Sequence, residues 1–167
     1  LHPLAKTAAC IGLGSGMTSQ AILANRSIQQ LDTIEIEAAM IEGANYFRPR
    51  FELVFTDPRS KIYIDDAKSF FSTYNKKYDL IVSEPSNPWV SGVSGLFSEE
   101  FYKLIKNHMN DDGLFIQWIQ LYEINMDLVV SVLKAVSANF SDYVAYETVS
   151  SNMMIIAKKN GILPEPD

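Results

Sequence analysis

Cysteine is nearly absent. Cys10 stands alone in 167 residues, so neither an internal disulfide nor a multi-cysteine metal site can form, and it reads as a small core residue. Histidine is almost as scarce: His2 and His108 are isolated from one another, make no catalytic or metal-ligating case, and read as surface residues. No metal is expected. No apolar run approaches the roughly 20 residues that cross a bilayer, so no direct membrane insertion is expected of this chain. There is no basic stripe, and the net charge of -6 argues against a nucleic-acid partner while permitting a cationic one. Low-complexity tracts and internal repeats are also missing. With 47% hydrophobic residues, the chain has material for one compact domain over 1–167. It opens Leu1-His2-Pro3-Leu4 without a methionine or a signal peptide and reads as an excised piece of a longer protein.

Against these absences stands the run Ala9-Cys10-Ile11-Gly12-Leu13-Gly14-Ser15-Gly16-Met17-Thr18, an apolar stretch that ends in alternating glycines. Such a turn lets a backbone pass close to a ligand, and Glu35, at the end of the next apolar run, can hold a ribose diol. Gly12, Gly14, Gly16 and Glu35 therefore point to a nucleoside cofactor. The other reading of the glycines is an ordinary strand-to-helix turn, and that of Glu35 a solvated acid. Glu37, two residues on, reads as the start of the following helix.

Apolar runs alternate with helix-like patterns. Thr7 to Leu13 predicts a buried strand, Met17 to Ala24 a helix, Asp32 to Ile36 a strand and Ala38 to Tyr46 a helix. Strand, helix and strand recur at Lys61 to Ile64, Ala67 to Tyr74 and Tyr78 to Ser83. The loop from Glu84 to Phe97 precedes a helix with Ser98 as N-cap and Glu99 and Glu100 in its first turn, running to about Met109. Asn110-Asp111-Asp112-Gly113 predicts a turn, Leu114 to Ile119 a fifth strand and Met126 to Ala138 a helix. Tyr143 to Thr148 and Met153 to Lys158 are too closely spaced for a helical crossover and predict an antiparallel hairpin. The expectation is an α/β, Rossmann-like class I methyltransferase fold. Its mostly parallel seven-stranded sheet carries helices on both faces and is closed by that hairpin, the arrangement of class I S-adenosylmethionine-dependent transferases.

Ligands in such sheets sit beyond the carboxyl ends of the strands. Asp65 and Asp66 end the third strand, where one can accept from an adenine amino group; the alternative is a helix N-cap. Glu84 ends the fourth strand, where a carboxylate can pair with a substrate ammonium, take its proton or balance a sulfonium. Beyond it, Trp89 either lines the pocket or packs on the domain. Gln117 and Gln120 can orient a substrate or serve as structural amides.

On these residues the chain resembles the polyamine aminopropyltransferases, the spermidine synthase family, and more closely a divergent branch often joined to a multi-helix membrane region. The resemblance runs from Ile11-Gly12-Leu13-Gly14-Ser15-Gly16 through Glu35-Ile36-Glu37, Ile64-Asp65-Asp66-Ala67 and Tyr78-Asp79-Leu80-Ile81-Val82 to Leu96-Phe97-Ser98-Glu99-Glu100-Phe101-Tyr102. It implies decarboxylated S-adenosylmethionine as co-substrate, with Glu35 on the ribose and Asp66, followed by Ala67 in place of the usual glycine, on the adenine. Where the true synthases carry a stretch like Asp-Ser-Ser-Asp-Pro, this chain has Glu84-Pro85-Ser86-Asn87-Pro88. The first acid is lengthened by a methylene and the second is replaced by Asn87. The β-rich domain that precedes the glycine motif in that family lies outside this sequence.

The resemblance implies aminopropyl transfer to a small amine such as putrescine, with Glu84 catalytic and Asn87, Trp89 and Gln120 on the substrate side. Methyl transfer from S-adenosylmethionine is the alternative. A non-catalytic nucleoside- or polyamine-binding domain of a membrane protein is the third reading. A cytoplasmic location, as a free protein or as the cytosolic part of a membrane protein, is expected, and a homodimer is an admissible assembly.

Overall fold

The computed structural model describes residues 2–85, 92–122, 124–148 and 151–164. Seven strands form one sheet in the order β3-β2-β1-β4-β5-β7-β6. The strands are β1 (Thr7–Ile11), β2 (Gln30–Glu35), β3 (Ser60–Ile64), β4 (Tyr78–Ser83), β5 (Met109–Gln120), β6 (Asp142–Thr148) and β7 (Asn152–Lys158). The first five pair parallel, and β7 pairs antiparallel with both β5 and β6. This is the expected hairpin-closed sheet.

The helices are α1 (Met17–Ala24), α2 (Ala38–Asn45), α3 (Leu53–Thr56), α4 (Ala67–Thr73), α5 (Glu99–Asn107) and α6 (Met126–Asn139). They divide between the two faces because consecutive strand residues do. Ala9, Ile11, Ile81 and Phe115 join the core under α4, α5 and α6, with Phe70, Phe101, Tyr102, Ile105 and Val132. Their neighbours Ala8, Cys10 and Val82 face Leu23 of α1 and Leu31. Each of the buried Val, Leu, Ile and Phe side chains among these contributes about 1.5–3 kcal/mol relative to exposure. Phe115 and Phe140 stack with centroids 5.5 Å apart, fixing α6 against the sheet. Asp32, wholly buried on β2, is satisfied by Lys76 Nζ at 2.8 Å and the Tyr78 hydroxyl at 2.7 Å, so this buried carboxylate is paired.

Two segments depart from the pattern reading. The Asn-Asp-Asp-Gly segment lies inside β5 as an excursion: Tyr78 pairs with Met109 and Leu80 with Leu114, so the register jumps across it. Asn110 donates to Asp79 at 2.7 Å, and the excursion folds so tightly that a Cβ on Gly113 would stand 2.9 Å from the Asn110 carbonyl oxygen. The turn chemistry is present, but the ladder spans it. α5 accordingly stops at Asn107. The short α3 had no expected counterpart, and neither had the 3-10 turn at Ser94–Phe97. Both are single turns, too short for an apolar period to show. Ser98 caps α5 through the Phe101 N–H at 3.2 Å, as expected.

His108 is half-buried rather than superficial. Its Nδ1 lies 2.8 Å from the Lys76 carbonyl oxygen and its ring packs on Phe71. Among the described residues no helix is long and apolar enough to cross a membrane.

Candidate active site

The chain runs outward from β1 to β2 and β3, then crosses back to β4 on the other side of β1. A crevice opens at that reversal, beyond the carboxyl ends of the strands. A cavity of about 400 Å³ occupies it. Gly12, Gly14, Glu35, Asp65, Asp66, Ala67 and Glu84 all contribute to its lining, brought together from the ends of four strands.

Backbone geometry explains the first glycine. Gly12 has φ +93°, and a Cβ there would stand 2.8 Å from the Glu84 carbonyl oxygen. The turn can pass the end of β4 only without a side chain. Gly12 also donates to Ile34 O at 2.9 Å, and Glu84 to Ile11 O at 2.9 Å, so the ladder reaches the rim of the cavity. Gly14, at φ +51°, has open space where its Cβ would be. Gly16 does not line the cavity. It packs against α3, where a Cβ would meet Val54 Cγ2 at 3.3 Å.

Glu35 is only 7% exposed. Its Oε2 accepts from Leu13 N–H at 2.9 Å and its Oε1 from Glu37 N–H at 3.0 Å, so it clamps the glycine turn to the start of α2. Glu37 caps α2 through Ala39 N–H at 3.0 Å. Asp66 caps α4 through Ser69 N–H at 3.0 Å, as the N-cap reading expected, and it also borders the cavity. Ala67 is the first residue of α4 and is buried beneath the lining.

Glu84 borders the cavity and also a trough of about 730 Å³ between α1 and the β4-β5-β7 face, lined by Ile22, Val82, Ile116 and Met154. Its Oε2 accepts from Thr18 Oγ1 at 2.7 Å. Cys10 lies just below with Sγ 3.4 Å from Gly12 O. Burial, reinforced by the negative charge of Glu84, pushes its thiol up to about 12. That leaves Cys10 an inert core group, as its place in the first apolar run suggested.

The described lining holds four acidic side chains and no basic one, so its field favours a cation. Ile11, Ile34, Ile36, Met40, Val93 and Leu96 give it apolar walls. Ile36 is 70% exposed and Met40 41%, an unusual exposure for apolar side chains at the lip of a pocket. These wall residues and Thr18 went unassigned at the level of sequence. Of the walls only Ile36 carried a local signal, as the apolar residue directly after the strand-end Glu35.

Gln120 pairs in register with Asn152 and does not border the cavity. Gln117 is fully buried, donating to Ser83 O at 3.2 Å and Trp118 O at 3.1 Å, while its Oε1 and the Ser83 hydroxyl have no partner among the described residues. Asn87 and Trp89 lie outside the described residues. Among those residues, no three His, Cys, Asp or Glu side chains cluster as metal ligands would.

Comparison with known proteins shows the family and the fold. The family model described as "Spermine/spermidine synthase domain" matches residues 1–161. A polyamine aminopropyltransferase of Methanocaldococcus jannaschii is 28% identical over 133 residues, covering 80% of this chain and 45% of that protein. The chain spans about half the length of the curated relatives it matches. A crystal structure of spermidine synthase in complex with the transition-state analogue AdoDATO superposes with TM-score 0.85 at 22% identity, covering 95% of this chain and 56% of that one. Human methyltransferase-like protein 13, solved in complex with SAH, gives 0.75 at 19% identity, covering 96% of this chain and 73% of that one. At such identities the two structures establish the fold.

Proposed function

The chain belongs to the spermine/spermidine synthase domain family, and we propose from that membership that residues 1–167 form the nucleoside-binding domain of an aminopropyltransferase. The observation that carries the reading is the cavity at the sheet reversal, with acidic side chains, apolar walls and no described basic group. A cationic sulfonium joined to a nucleoside matches all three properties.

In this reading Gly12 and Gly14 let the cofactor approach the backbone and Glu35 holds the ribose diol. Asp65, Asp66 and Ala67 meet the adenine, whose faces lie against Ile36, Met40, Val93 and Leu96. Glu35 can do this while clamping the turn, because each carboxylate oxygen carries two acceptor sites and only one is used by the backbone. The co-substrate is decarboxylated S-adenosylmethionine. The nitrogen of a small amine such as putrescine attacks the aminopropyl carbon, the carbon–sulfur bond breaks, and methylthioadenosine leaves with the bonding electrons. Glu84 takes the proton that the attacking nitrogen sheds. Asn87 and Trp89, on the loop that follows, belong to the amine side. Gln120 and the fully buried Gln117 both lie outside the lining of the cavity, so neither is assigned to the amine.

Mass spectrometry of the products tests this. The chain incubated with decarboxylated S-adenosylmethionine and putrescine should give an aminopropylated amine and methylthioadenosine. Glu84→Gln should lower the rate by about 10²–10⁴-fold, the range of a lost general base. A methylated amine formed from S-adenosylmethionine, with no aminopropyl product, would overturn the assignment in favour of methyl transfer.

A further inference from the structure

The central strands are covered unevenly. α4, α5 and α6 pack on the face that carries Ile81, Phe115 and Ile155, whereas the opposite sides of the same strands, Leu80, Val82, Ile116 and Met154, look into the trough beside α1. Thr18 and Ile22 of α1 and its C-cap Asn25 form the far wall. Glu84 stands at one end, where it bonds Thr18, and Leu80 lies four residues back along the chain, about 13 Å at strand rise. At a water's share of about 30 Å³, the trough's 730 Å³ has room for about 24 small groups, far more than putrescine fills.

Negative charge is confined to the Glu84 end. Among the described residues that line the trough, Glu84 is the one acid, and there is no lysine or arginine. The segment that follows, Pro85-Ser86-Asn87-Pro88-Trp89, brings no second acid. A diamine held at Glu84 by one nitrogen would lay its other ammonium among Ile22, Ile116 and Met154, where a charge loses water and gains no partner. An alkyl or aryl tail on the same nitrogen meets an apolar wall instead.

Glu84 also borders the main cavity, so trough and cavity meet at its carboxylate. Resting on the aminopropyl-transfer reading above, we propose that the trough is the acceptor subsite and that the preferred acceptor is a primary monoamine with an apolar tail. The alkylammonium gives one proton to Glu84, its nitrogen lone pair bonds the aminopropyl carbon, and the carbon–sulfur bond breaks with both electrons left on sulfur. Meanwhile the tail lies against Ile22, Val82 and Ile116. Putrescine remains a substrate, but a poorer one. Burying one methylene is worth a factor of about four, and about two where an open groove leaves it half covered.

Mass spectrometry of the products tests this on the whole chain with decarboxylated S-adenosylmethionine, comparing butylamine, hexylamine and putrescine in wild type, Ile22→Glu and Ala21→Trp. Butylamine and putrescine share one carbon skeleton, so that pair isolates the second charge. In wild type kcat/KM should be at least about tenfold higher for butylamine, the scale of one charged group left without its partner, and about four- to sixteenfold higher again for hexylamine. Ile22 lies one helical turn, about 5.4 Å, beyond Thr18, so a glutamate there offers the second ammonium a counter-charge, and Ile22→Glu should reverse the order of butylamine and putrescine. Ala21 is exposed at the rim of the trough; Ala21→Trp should erase the hexylamine gain, with melting temperature and methylthioadenosine affinity as in wild type. Hexylamine alone should shift the amides of Ile22, Ile116 and Met154. The inference is overturned if putrescine is the better acceptor in wild type, if kcat/KM does not rise with chain length, if Ala21→Trp leaves the hexylamine gain intact, or if those three amides stay unmoved. Methylthioadenosine release would still uphold aminopropyl transfer in each of these cases. No methylthioadenosine from any amine removes that reading and the inference with it.

Discussion

Replacing Glu35 by glutamine should destabilise the protein even with no nucleoside present. The two side chains are nearly isosteric, but glutamine offers one acceptor oxygen where the carboxylate offers two. In the structure both are used, by Leu13 N–H at 2.9 Å and Glu37 N–H at 3.0 Å. One of these N–H groups would face an amide NH₂ in a site only 7% exposed. A hydrogen bond to a charged acceptor contributes about 1.5–3 kcal/mol, and a buried donor left unpaired costs about 1–3 kcal/mol. Glu35→Gln should therefore cost roughly 2–4 kcal/mol. In a domain of this size each kcal/mol moves the melting temperature by about 2–4 °C, so thermal unfolding followed by circular dichroism should show a fall of about 4–16 °C. Asp66→Asn is the control. Asparagine caps a helix about as well as aspartate, so that variant should stay within about 0.5 kcal/mol of wild type. If Glu35→Gln melts with wild type yet loses methylthioadenosine binding, the acid serves the ligand alone and the clamp on the glycine turn is refuted.

Two further outcomes rest on close approach and on charge. Gly12→Ala should be clearly worse than Gly14→Ala: both adopt positive φ, costing about 1–2 kcal/mol, but only at residue 12 does a Cβ press on a carbonyl, adding about 1–3 kcal/mol of overpacking. Equal melting temperatures for the two variants would contradict that close approach. At the other end of β4, burial works against the Asp79 carboxylate. The Lys6 N–H, the Asn110 amide and the Thr7 N–H outweigh it, holding the group below the usual aspartate range. Because the folded value is depressed, this stability is present above about pH 4, the ordinary unfolded value, and is lost as pH falls through the folded one. Asp79→Asn should thus melt a few degrees below wild type at pH 7, and the gap should close below about pH 4; a gap that widens in acid would refute the sign.

The frame of the fold was legible because the alternation of strands and helices and the closing hairpin leave periodic traces in the sequence. β4 (Tyr78–Ser83) and the Ser98 cap match their expected positions. Less legible was anything that depends on close approach in three dimensions. Asn110-Asp111-Asp112-Gly113 has the composition of a turn, and nothing local says that the ladder resumes beyond it. The glycines look alike in sequence, yet Gly12 yields to a carbonyl, Gly14 opens on the cavity and Gly16 packs on Val54. Glu35 was read as ligand or solvated acid, and its bond to Leu13 N–H is a third role that no spacing rule encodes. The tether between Thr18 and Glu84 joins positions distant in the chain and became visible only once β1 and β4 lay side by side.

The central claim is that the crevice between β1 and β4 holds the nucleoside, and amide chemical-shift mapping during a methylthioadenosine titration tests it most directly. The predicted result is saturable shifts at Gly12, Gly14, Glu35, Asp65, Asp66 and Ala67. Shifts confined to Ile22, Ile116 and Met154 in the neighbouring trough, or none at all, would contradict it.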